Sequence, residues 1–192
     1  HPTLAALTLV LACTLPACDS ETVGADLQGV ASVIDGDTIE IHGARIRLNG
    51  IDAPESGQLC QDPRGTAWRC GQQASLALSD RIGRQVVSCQ ETDIDRYGRS
   101  VADCFAGGEN LNRWMVREGW AVAYRQYSTA YVAAEEHART GQRGIWQGRF
   151  DMPWDWRAAR RSGQKAAPPM QRLQQLAGQN WSCSPRRTCS QI

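Results

Sequence analysis

The sequence predicts an α+β protein built on a five-stranded barrel of the OB-fold type, with three helices packed around it. The prediction depends on the order of the elements, which runs as three strands, one helix, two strands and two helices. A helix between the third and fourth strands of a five-stranded barrel is typical of this fold. The 192 residues suffice for one such domain with an extension at each end.

The five strands are predicted from short runs that are rich in β-branched residues. His42-Gly43 forms the turn between the second and third strands. Residues 52–71 include Pro54 and Pro63 and are expected to be mostly loop. The last two strands form one hairpin. The predicted strands are residues 30–34, 38–41, 45–51, 85–91 and 99–105.

The three helices are predicted from apolar residues at helical spacing, each followed by a glycine. The first covers residues 71–83, "GQQASLALSDRIG", and its last residue is the glycine that stops it. The second covers residues 111–118 and stops before Gly119. The third covers residues 129–140, with Ser128 as its N-cap.

Residues 1–19 are predicted to be an export segment. The apolar run Leu4 to Cys13 is too short to span a bilayer and resembles a secretory signal whose start is missing, since the chain opens on His1. "LPAC" resembles a bacterial lipoprotein box that would place a lipid anchor on Cys18, whereas a box ending at Cys13 or plain signal cleavage are the alternatives. Residues 20–28 are polar and are predicted to form a linker. We therefore expect an exported protein, periplasmic or extracellular, with lipid anchorage to a membrane through Cys18.

The other cysteines are expected to form disulfides, because an export signal implies an oxidising compartment. Cys60 and Cys70 would close one short loop. Cys89 and Cys104 lie in the two strands of the predicted hairpin, and a turn centred on residues 96 and 97 places them opposite each other. Zinc is disfavoured, because the chain has no C-x2-C pair and only three, widely separated histidines.

The charges are divided unevenly along the chain. Residues 157–192 contain seven basic residues and no acidic one, so residues 1–156 carry −6 of a total of +1. The basic segment is expected to be a flexible tail that contains a pair of cysteines, Cys183 and Cys189. Two interpretations of it remain open, attraction to polyanions and a simple solvated extension.

Two acidic turns, "IDGDTIEI" and "GIDAPES", supply what phosphodiester hydrolysis requires. Asp37 and Asp52 are hard oxygen donors at the ends of neighbouring strand segments and are suited to calcium. Glu55 lies three residues beyond Asp52, close enough to share a site without necessarily binding the same ion, and a carboxylate can orient or deprotonate the attacking water. Arg47 and Arg99 have the planar fork that suits phosphate oxygens.

Each of these residues also has a purely structural interpretation. Asp35 is expected only to shape its turn. Arg47 or Arg99 alone would be an ordinary surface charge. The conjunction of all the parts, in order, favours the functional interpretation.

The stretches "VIDGDTIEI", "RLNGIDAPES" and "DRYGRS", in this order and at these distances, resemble the staphylococcal nuclease (thermonuclease) family. The resemblance covers about residues 28–156, including "GIW" at 144–146, and implies an exported bacterial member with a nuclease-like domain at residues 29–156. It implies calcium coordination by Asp37, Asp52 and the backbone carbonyl of Ala53.

The resemblance also implies roles in catalysis and in substrate binding. Glu55 matches the general base of the family, and Arg47 and Arg99 match its phosphate-binding arginines. Four further residues are expected to contact the substrate, namely Arg96, Tyr97, Tyr124 and Tyr127.

The predicted function is calcium-dependent hydrolysis of DNA and RNA by a monomer, with single strands favoured and little sequence preference. The alternative is a non-catalytic OB-fold module that binds nucleic acid or a protein at the cell envelope. Such a module would be expected to lack part of the site, and no part is missing. A calcium-binding structural protein would leave the two arginines unexplained.

Overall fold

Five strands close into a barrel in the computed structural model, which describes residues 27–163 and the backbone of residues 181–183 and 189–191. β1 pairs with β2 and β4, β2 pairs with β3, and β4 and β5 form a hairpin. A parallel pairing of β3 with β5 closes the ring and confirms the predicted OB-type barrel. The strands are β1 Leu27–Asp35, β2 Thr38–Ile41, β3 Ala44–Leu48, β4 Val86–Ile94 and β5 Ser100–Ala106.

Three strand boundaries differ from the prediction by three residues each, and one of them is the end of β4, which lies at Ile94 instead of residue 91. β1 begins at Leu27, inside the expected linker, because residues 27–30 pair with the start of β4. The predicted third strand breaks after Leu48, where Gly50 has a positive φ of 68°. The short strand Ile51–Asp52 then leaves the barrel and pairs with Val122–Ala123. This break is what carries Asp52 away from the barrel wall.

Four helices accompany the barrel in the described residues, one more than predicted. α1 lies between β3 and β4, as expected for the fold, and stops at Gly83. The side chain of Asn110 caps α2 by accepting a hydrogen bond from the Arg113 amide at 2.8 Å. The helices are α1 Cys70–Ile82, α2 Leu111–Arg117, α3 Val132–Thr140 and α4 Pro153–Arg161.

The start of α3 is three residues later than predicted. The Ser128 hydroxyl accepts a hydrogen bond from the Ala130 amide at 3.2 Å, as a cap does. The Val132 amide, however, donates to the Thr129 carbonyl three residues back, at 3.3 Å. The chain therefore makes a tight turn before it enters the helix.

The barrel interior is filled by buried aliphatic side chains from all sides. Alternate residues of β2, β3, β4 and β5 point inward, and α1, α2 and the Ile51 segment cover the barrel. The largest of these fully buried side chains are Ile39, Ile41, Ile46, Leu48, Ile51, Leu78, Ile82, Leu111 and Met115.

Both predicted disulfides are present. Cys60 and Cys70 have Cα atoms 5.6 Å apart, and those of Cys89 and Cys104 are 4.1 Å apart. The predicted pairing of β4 with β5 holds from Val87 opposite Ala106 to Glu91 opposite Ala102, and a bulge then shifts the register by one residue toward the turn. The second bridge lies inside the barrel, where both cysteines are buried.

We expect loss of the Cys89–Cys104 bridge to lower the free energy of unfolding by about 2–4 kcal/mol, the usual effect of a bridge that closes a loop of this size. The double variant Cys89→Ala, Cys104→Ala tests this by urea denaturation. The matched control is Cys60→Ala, Cys70→Ala, which opens a smaller loop. A Cys89, Cys104 variant that unfolds at the wild-type urea concentration would contradict the expectation.

A second apolar cluster holds the C-terminal part of the domain. Val122 and Ile145 are buried beside the Cys60–Cys70 bridge, and several aromatic side chains pack against them. The Gln61 and Arg149 backbones exchange two hydrogen bonds, of 2.8 and 3.1 Å. The aromatic and thioether side chains in contact are Trp68, Trp146, Phe150, Met152 and Trp154.

α4 continues this C-terminal part and begins with Pro153 in its first turn, a favoured place for proline. The predicted boundary between the domain and the tail, at residues 156 and 157, falls inside this helix. The first basic residues of the predicted tail therefore belong to the folded domain.

Several predictions concern residues outside the described part of the chain. The export segment, including Cys18, and residues 164–180 of the tail lie there. The backbones of Trp181–Cys183 and Cys189–Gln191 form an antiparallel pair in which residue 183 stands opposite 189. Within the described residues, no helix has the length and apolar character that a bilayer crossing requires.

Candidate active site

The turn between β1 and β2 fixes the first carboxylate of the site. The Asp35 carboxylate accepts a hydrogen bond from the Asp37 amide at 3.0 Å and so shapes the turn, as predicted. Asp37 is 4% exposed, and its two oxygens accept hydrogen bonds from the Thr38 hydroxyl at 3.0 Å and the Ala53 amide at 3.2 Å. The side chain is therefore held in one orientation, facing the second acidic turn.

Arg47 joins the two predicted metal-binding carboxylates. It lies on β3 directly opposite Thr38, so it is next to Asp37. Its Nη1 and Nη2 contact the two oxygens of Asp37, both at 3.1 Å. The same Nη2 donates to Asp52 Oδ1 at 3.0 Å. One nitrogen thus contacts both carboxylates, which shows that Asp37 and Asp52 converge on one place.

A third basic group at this place was not predicted. Arg157 of α4 donates from Nη1 to Asp52 Oδ1 at 3.0 Å and from Nη2 to Asp52 Oδ2 at 2.8 Å. Its Nη1 also donates to Glu55 Oε1 at 2.9 Å. Asp52 is completely buried, so both of its oxygens depend on arginine for hydrogen bonds.

Sequence reasoning missed Arg157 because its run of basic residues suggested a flexible tail. A local signal was present: Pro153 opens a stretch with no glycine or proline before Gly163. That signal predicts the helix. It does not predict contact with Asp52, which is 105 residues earlier in the chain.

Burial and mutual repulsion act on the acidic groups. Burial, with a further contribution from the Asp37 charge, raises the pKa of Asp35 to about 6. Burial also raises the pKa of Asp52, although hydrogen bonds from Arg157 oppose the shift. Burial lowers the pKa of Arg47, but the charges of Asp37 and Asp52 outweigh it and leave that pKa raised. The arginines therefore stay charged and neutralise the carboxylates.

The loop that carries Glu55 is fixed from two sides. Gln58 is fully buried; its Oε1 accepts from the Glu55 amide at 3.3 Å and its Nε2 donates to the Asp151 carbonyl at 2.7 Å. On the other side, a Cβ at Gly71 would lie 1.8 Å from the Glu55 carbonyl oxygen, so α1 approaches this loop as only glycine permits. The Glu55 side chain itself is 36% exposed and is open to solvent.

One open cleft of about 860 Å³ connects these groups. Every predicted site residue lines it except Asp52, which is buried beneath it. The structure thus brings the predicted residues to one surface. The predicted residues in the lining are Asp37, Arg47, Ala53, Glu55, Arg96, Tyr97, Arg99, Tyr124 and Tyr127, and Arg157 joins them.

Arg99 lines the cleft but is held by its own hairpin turn. Its Nε and Nη2 both contact Asp95 Oδ2 at 2.7 Å. Desolvation opposes ionisation of Asp95, yet hydrogen bonds from the Arg99 backbone and side chain lower its pKa overall. In the described structure Arg99 is therefore paired with Asp95, whereas Arg47 is paired with the buried carboxylates.

Aromatic rings surround the cleft. Tyr97 is 69% exposed, and its ring lies 4.9 Å from the Arg96 guanidinium and 5.6 Å from that of Arg99. Tyr124 stacks on Trp154 of α4 at 5.3 Å and meets Tyr127 edge-on at 4.8 Å. Tyr97 and Tyr127 present exposed faces that a flat group could cover.

The sequence also matches a known protein family. The model of the family described as "Staphylococcal nuclease homologue" matches residues 45–148, more than half of the chain. The chain belongs to the staphylococcal nuclease family. Asp37 and Arg157 both lie outside the matched residues, at opposite ends, and the structure brings both of them into contact with the Arg47–Asp52 group.

The proteins similar to this chain include ExoI, a micrococcal nuclease and an endonuclease. The chain is 43% identical over 122 residues to succinoglycan biosynthesis protein ExoI of Rhizobium meliloti (strain 1021), a match that covers 62% of this chain and 64% of that protein. It is 38% identical over 154 residues to micrococcal nuclease of Shigella flexneri, covering 70% and 83%. It is 36% identical over 142 residues to an uncharacterized endonuclease of Escherichia coli O157:H7, covering 69% and 86%. The chain thus spans a little under two thirds of ExoI.

The staphylococcal nuclease family is metal-dependent, and the residues of this chain fit a metal ion. In the described part of the chain, no three His, Cys, Asp or Glu side chains are grouped closely enough to hold a metal by themselves. Asp37 and Asp52 nevertheless supply two converging, buried carboxylates, and an all-oxygen set of this kind suits a hard cation whose remaining ligands are main-chain or solvent oxygens.

Proposed function

We propose that this protein hydrolyses phosphodiester bonds of DNA and RNA in a calcium-dependent reaction, with single strands favoured and little sequence preference. The observation that carries the proposal is the convergence of Asp37, Arg47 and Glu55 in one open cleft, with the buried Asp52 in contact with Arg47. Membership of a nuclease family supports it independently.

In this proposal calcium is held by Asp37, Asp52 and the backbone carbonyl of Ala53. Bound there, the ion would offset the negative charge of the phosphate and favour ionisation of a nearby water. The buried position of both carboxylates supports the assignment, because a cation in a site of low polarity interacts strongly with its ligands.

Glu55 is the proposed general base. Its partly exposed carboxylate is reached by solvent water, and its loop is fixed by Gln58 and Gly71. It takes a proton as the water oxygen bonds to phosphorus, and the bond from phosphorus to the 5′ oxygen breaks. That oxygen takes a proton from solvent water and leaves as a 5′-hydroxyl, and the other product ends in a 3′-phosphate. Glu55 returns its proton to solvent.

The arginines are proposed to stabilise the extra charge on the phosphoryl oxygens. Arg47 is already at the carboxylates, with 21% of its side chain exposed toward the cleft. Arg99 uses Nε and Nη2 for Asp95, which leaves its Nη1 for a phosphate oxygen.

The exposed rings favour unpaired bases. A base in a duplex is already stacked on its neighbours, whereas a single strand can place its bases on the exposed rings of Tyr97 or Tyr127. Tyr124, half-buried in the cleft lining, is proposed as a further contact. Such stacking accepts any base, so it is consistent with low sequence preference. Arg96 is proposed to contact the strand beside Tyr97.

An exported location remains part of the proposal. The two disulfides of the described domain indicate maturation in an oxidising compartment. A lipid on Cys18 would tether the domain to a membrane, and the domain is proposed to act as a monomer.

Asp37→Asn is expected to weaken calcium binding by at least ~10-fold, because a neutral amide replaces a buried ligand carboxylate. Isothermal titration with calcium measures the change. Glu40→Gln is the control: it removes one carboxylate from β2, the strand that follows Asp37, at a side chain that pairs with Arg45. Equal calcium affinity in Asp37→Asn and the wild type would remove Asp37 from the ligand set.

The proposed function is tested by supplying labelled single-stranded DNA, single-stranded RNA and duplex DNA, with calcium or with a chelator. We expect cutting of all three only with calcium, fastest for the single strands. A folded protein that binds the strands and cuts none would instead favour a non-catalytic binding module.

A further inference from the structure

We propose that Arg157 competes with the divalent cation for the carboxylate of Asp52, so that α4 sets the metal affinity of the site. The inference rests on the metal site of the proposed function. It concerns a residue outside the family match at residues 45–148. Arg157 here is a regulator of cation binding and is given no step in the chemistry.

The contacts of Asp52 carry the proposal. Arg157 forms a two-pronged pair with both oxygens of this carboxylate, at 3.0 and 2.8 Å, and Arg47 adds a third bond to Oδ1. Asp52 has no exposed surface. Arginine N–H groups thus occupy three of the roughly four lone-pair positions of this carboxylate, so a cation that binds Asp52 competes with the guanidinium groups for its oxygens.

The charges favour Arg157 as the group that gives way. Three carboxylates and two guanidinium groups give this cluster a formal charge of −1, with Asp37, Asp52 and Glu55 against Arg47 and Arg157. A divalent cation changes the sign to +1, so a guanidinium beside it is repelled. Arg47, on β3, is also bonded to Asp37. Arg157, by contrast, can keep its hydrogen bond to Glu55 after it leaves Asp52.

α4 keeps Arg157 near Asp52 without depending on that contact. Ala159 is buried, Trp154 stacks on Tyr124, and the segment before the helix is bonded to Gln58 through the Asp151 carbonyl. Removing the Arg157 side chain should therefore leave the helix docked, so a change in metal affinity can be attributed to the guanidinium.

Calcium titration of the full chain tests the competition. Arg157→Gln is expected to bind calcium about 10-fold more tightly than the wild type, because Asp52 loses its competing cation. Arg157→Lys keeps the charge but loses the two-pronged contact, so a smaller gain is expected. Arg160→Gln is the matched control: it removes one charge from the same helix, at a side chain that lies over Trp156, 4.8 Å from its ring.

The possible outcomes are distinct. An Arg157→Gln affinity equal to or weaker than that of the wild type overturns the competition, whereas wild-type affinity in Arg157→Lys together with tighter binding in Arg157→Gln supports it through the charge alone. A gain in Arg160→Gln as large as in Arg157→Gln would also overturn it, since charge at any position on α4 would then suffice. If neither the wild type nor Arg157→Gln binds calcium, the metal site of the proposed function fails as well.

Discussion

Arg47→Ala is expected to lower kcat/KM by at least ~100-fold and the free energy of unfolding by about 3 kcal/mol. The rate falls because a phosphate-binding fork is lost. The stability falls because Asp37 and Asp52 are buried and lose a shared partner, with 6% and 0% of their side chains exposed. Steady-state cleavage of single-stranded DNA and urea denaturation measure the two effects separately.

Arg45→Ala is the matched control for this variant. Arg45 lies on the same strand, is 62% exposed and pairs only loosely with Glu40, at 3.9 Å. Both its rate and its stability should stay close to those of the wild type. If Arg47→Ala and Arg45→Ala had the same cleavage rate and the same free energy of unfolding, the proposed role of Arg47 would be wrong.

Glu55→Gln should slow hydrolysis by at least ~100-fold, because the amide keeps the shape of the side chain but accepts no proton from water. The kcat on single-stranded DNA with saturating calcium measures this. The free energy of unfolding should change little, since the Glu55 side chain is partly exposed. The loop is also held by the hydrogen bond from the Glu55 amide to the Gln58 side chain, which the substitution leaves in place.

Glu136→Gln is the control for Glu55→Gln. Glu136 is a 60% exposed glutamate on α3 that pairs with Arg139 on the same helix. Its loss should leave kcat unchanged. A folded Glu55→Gln enzyme with near-normal kcat would exclude Glu55 as the base.

The strands of the barrel could be predicted because the signals that specify them lie within short stretches of the sequence. Runs of β-branched residues and glycine stops identify the strands and α1. The position of the hairpin turn also predicted that Cys89 lies opposite Cys104, since residues at equal distances from the turn face each other in a regular antiparallel pair. The bulge beyond Glu91 escaped prediction because it follows from three-dimensional twist and packing.

The candidate site was predictable in its parts and not in its pairings. The acidic turns and the arginines stand out in the sequence, but which arginine neutralises which carboxylate depends on tertiary structure. Arg99, expected at the phosphate, is paired with Asp95, and Arg157, assigned to a tail, lies against Asp52. No local pattern encodes a contact across 105 residues.

Calcium-dependent hydrolysis with Glu55 as the base is tested most directly with one 5′-labelled single-stranded DNA. Wild type and Glu55→Gln are each incubated with calcium and with a chelator, and the product ends are identified. We expect the wild type to cut with calcium and not with chelator, the products to carry 3′-phosphate ends, and Glu55→Gln to cut at least ~100-fold more slowly. Cutting that persists in chelator, or in Glu55→Gln at the wild-type rate, would contradict it.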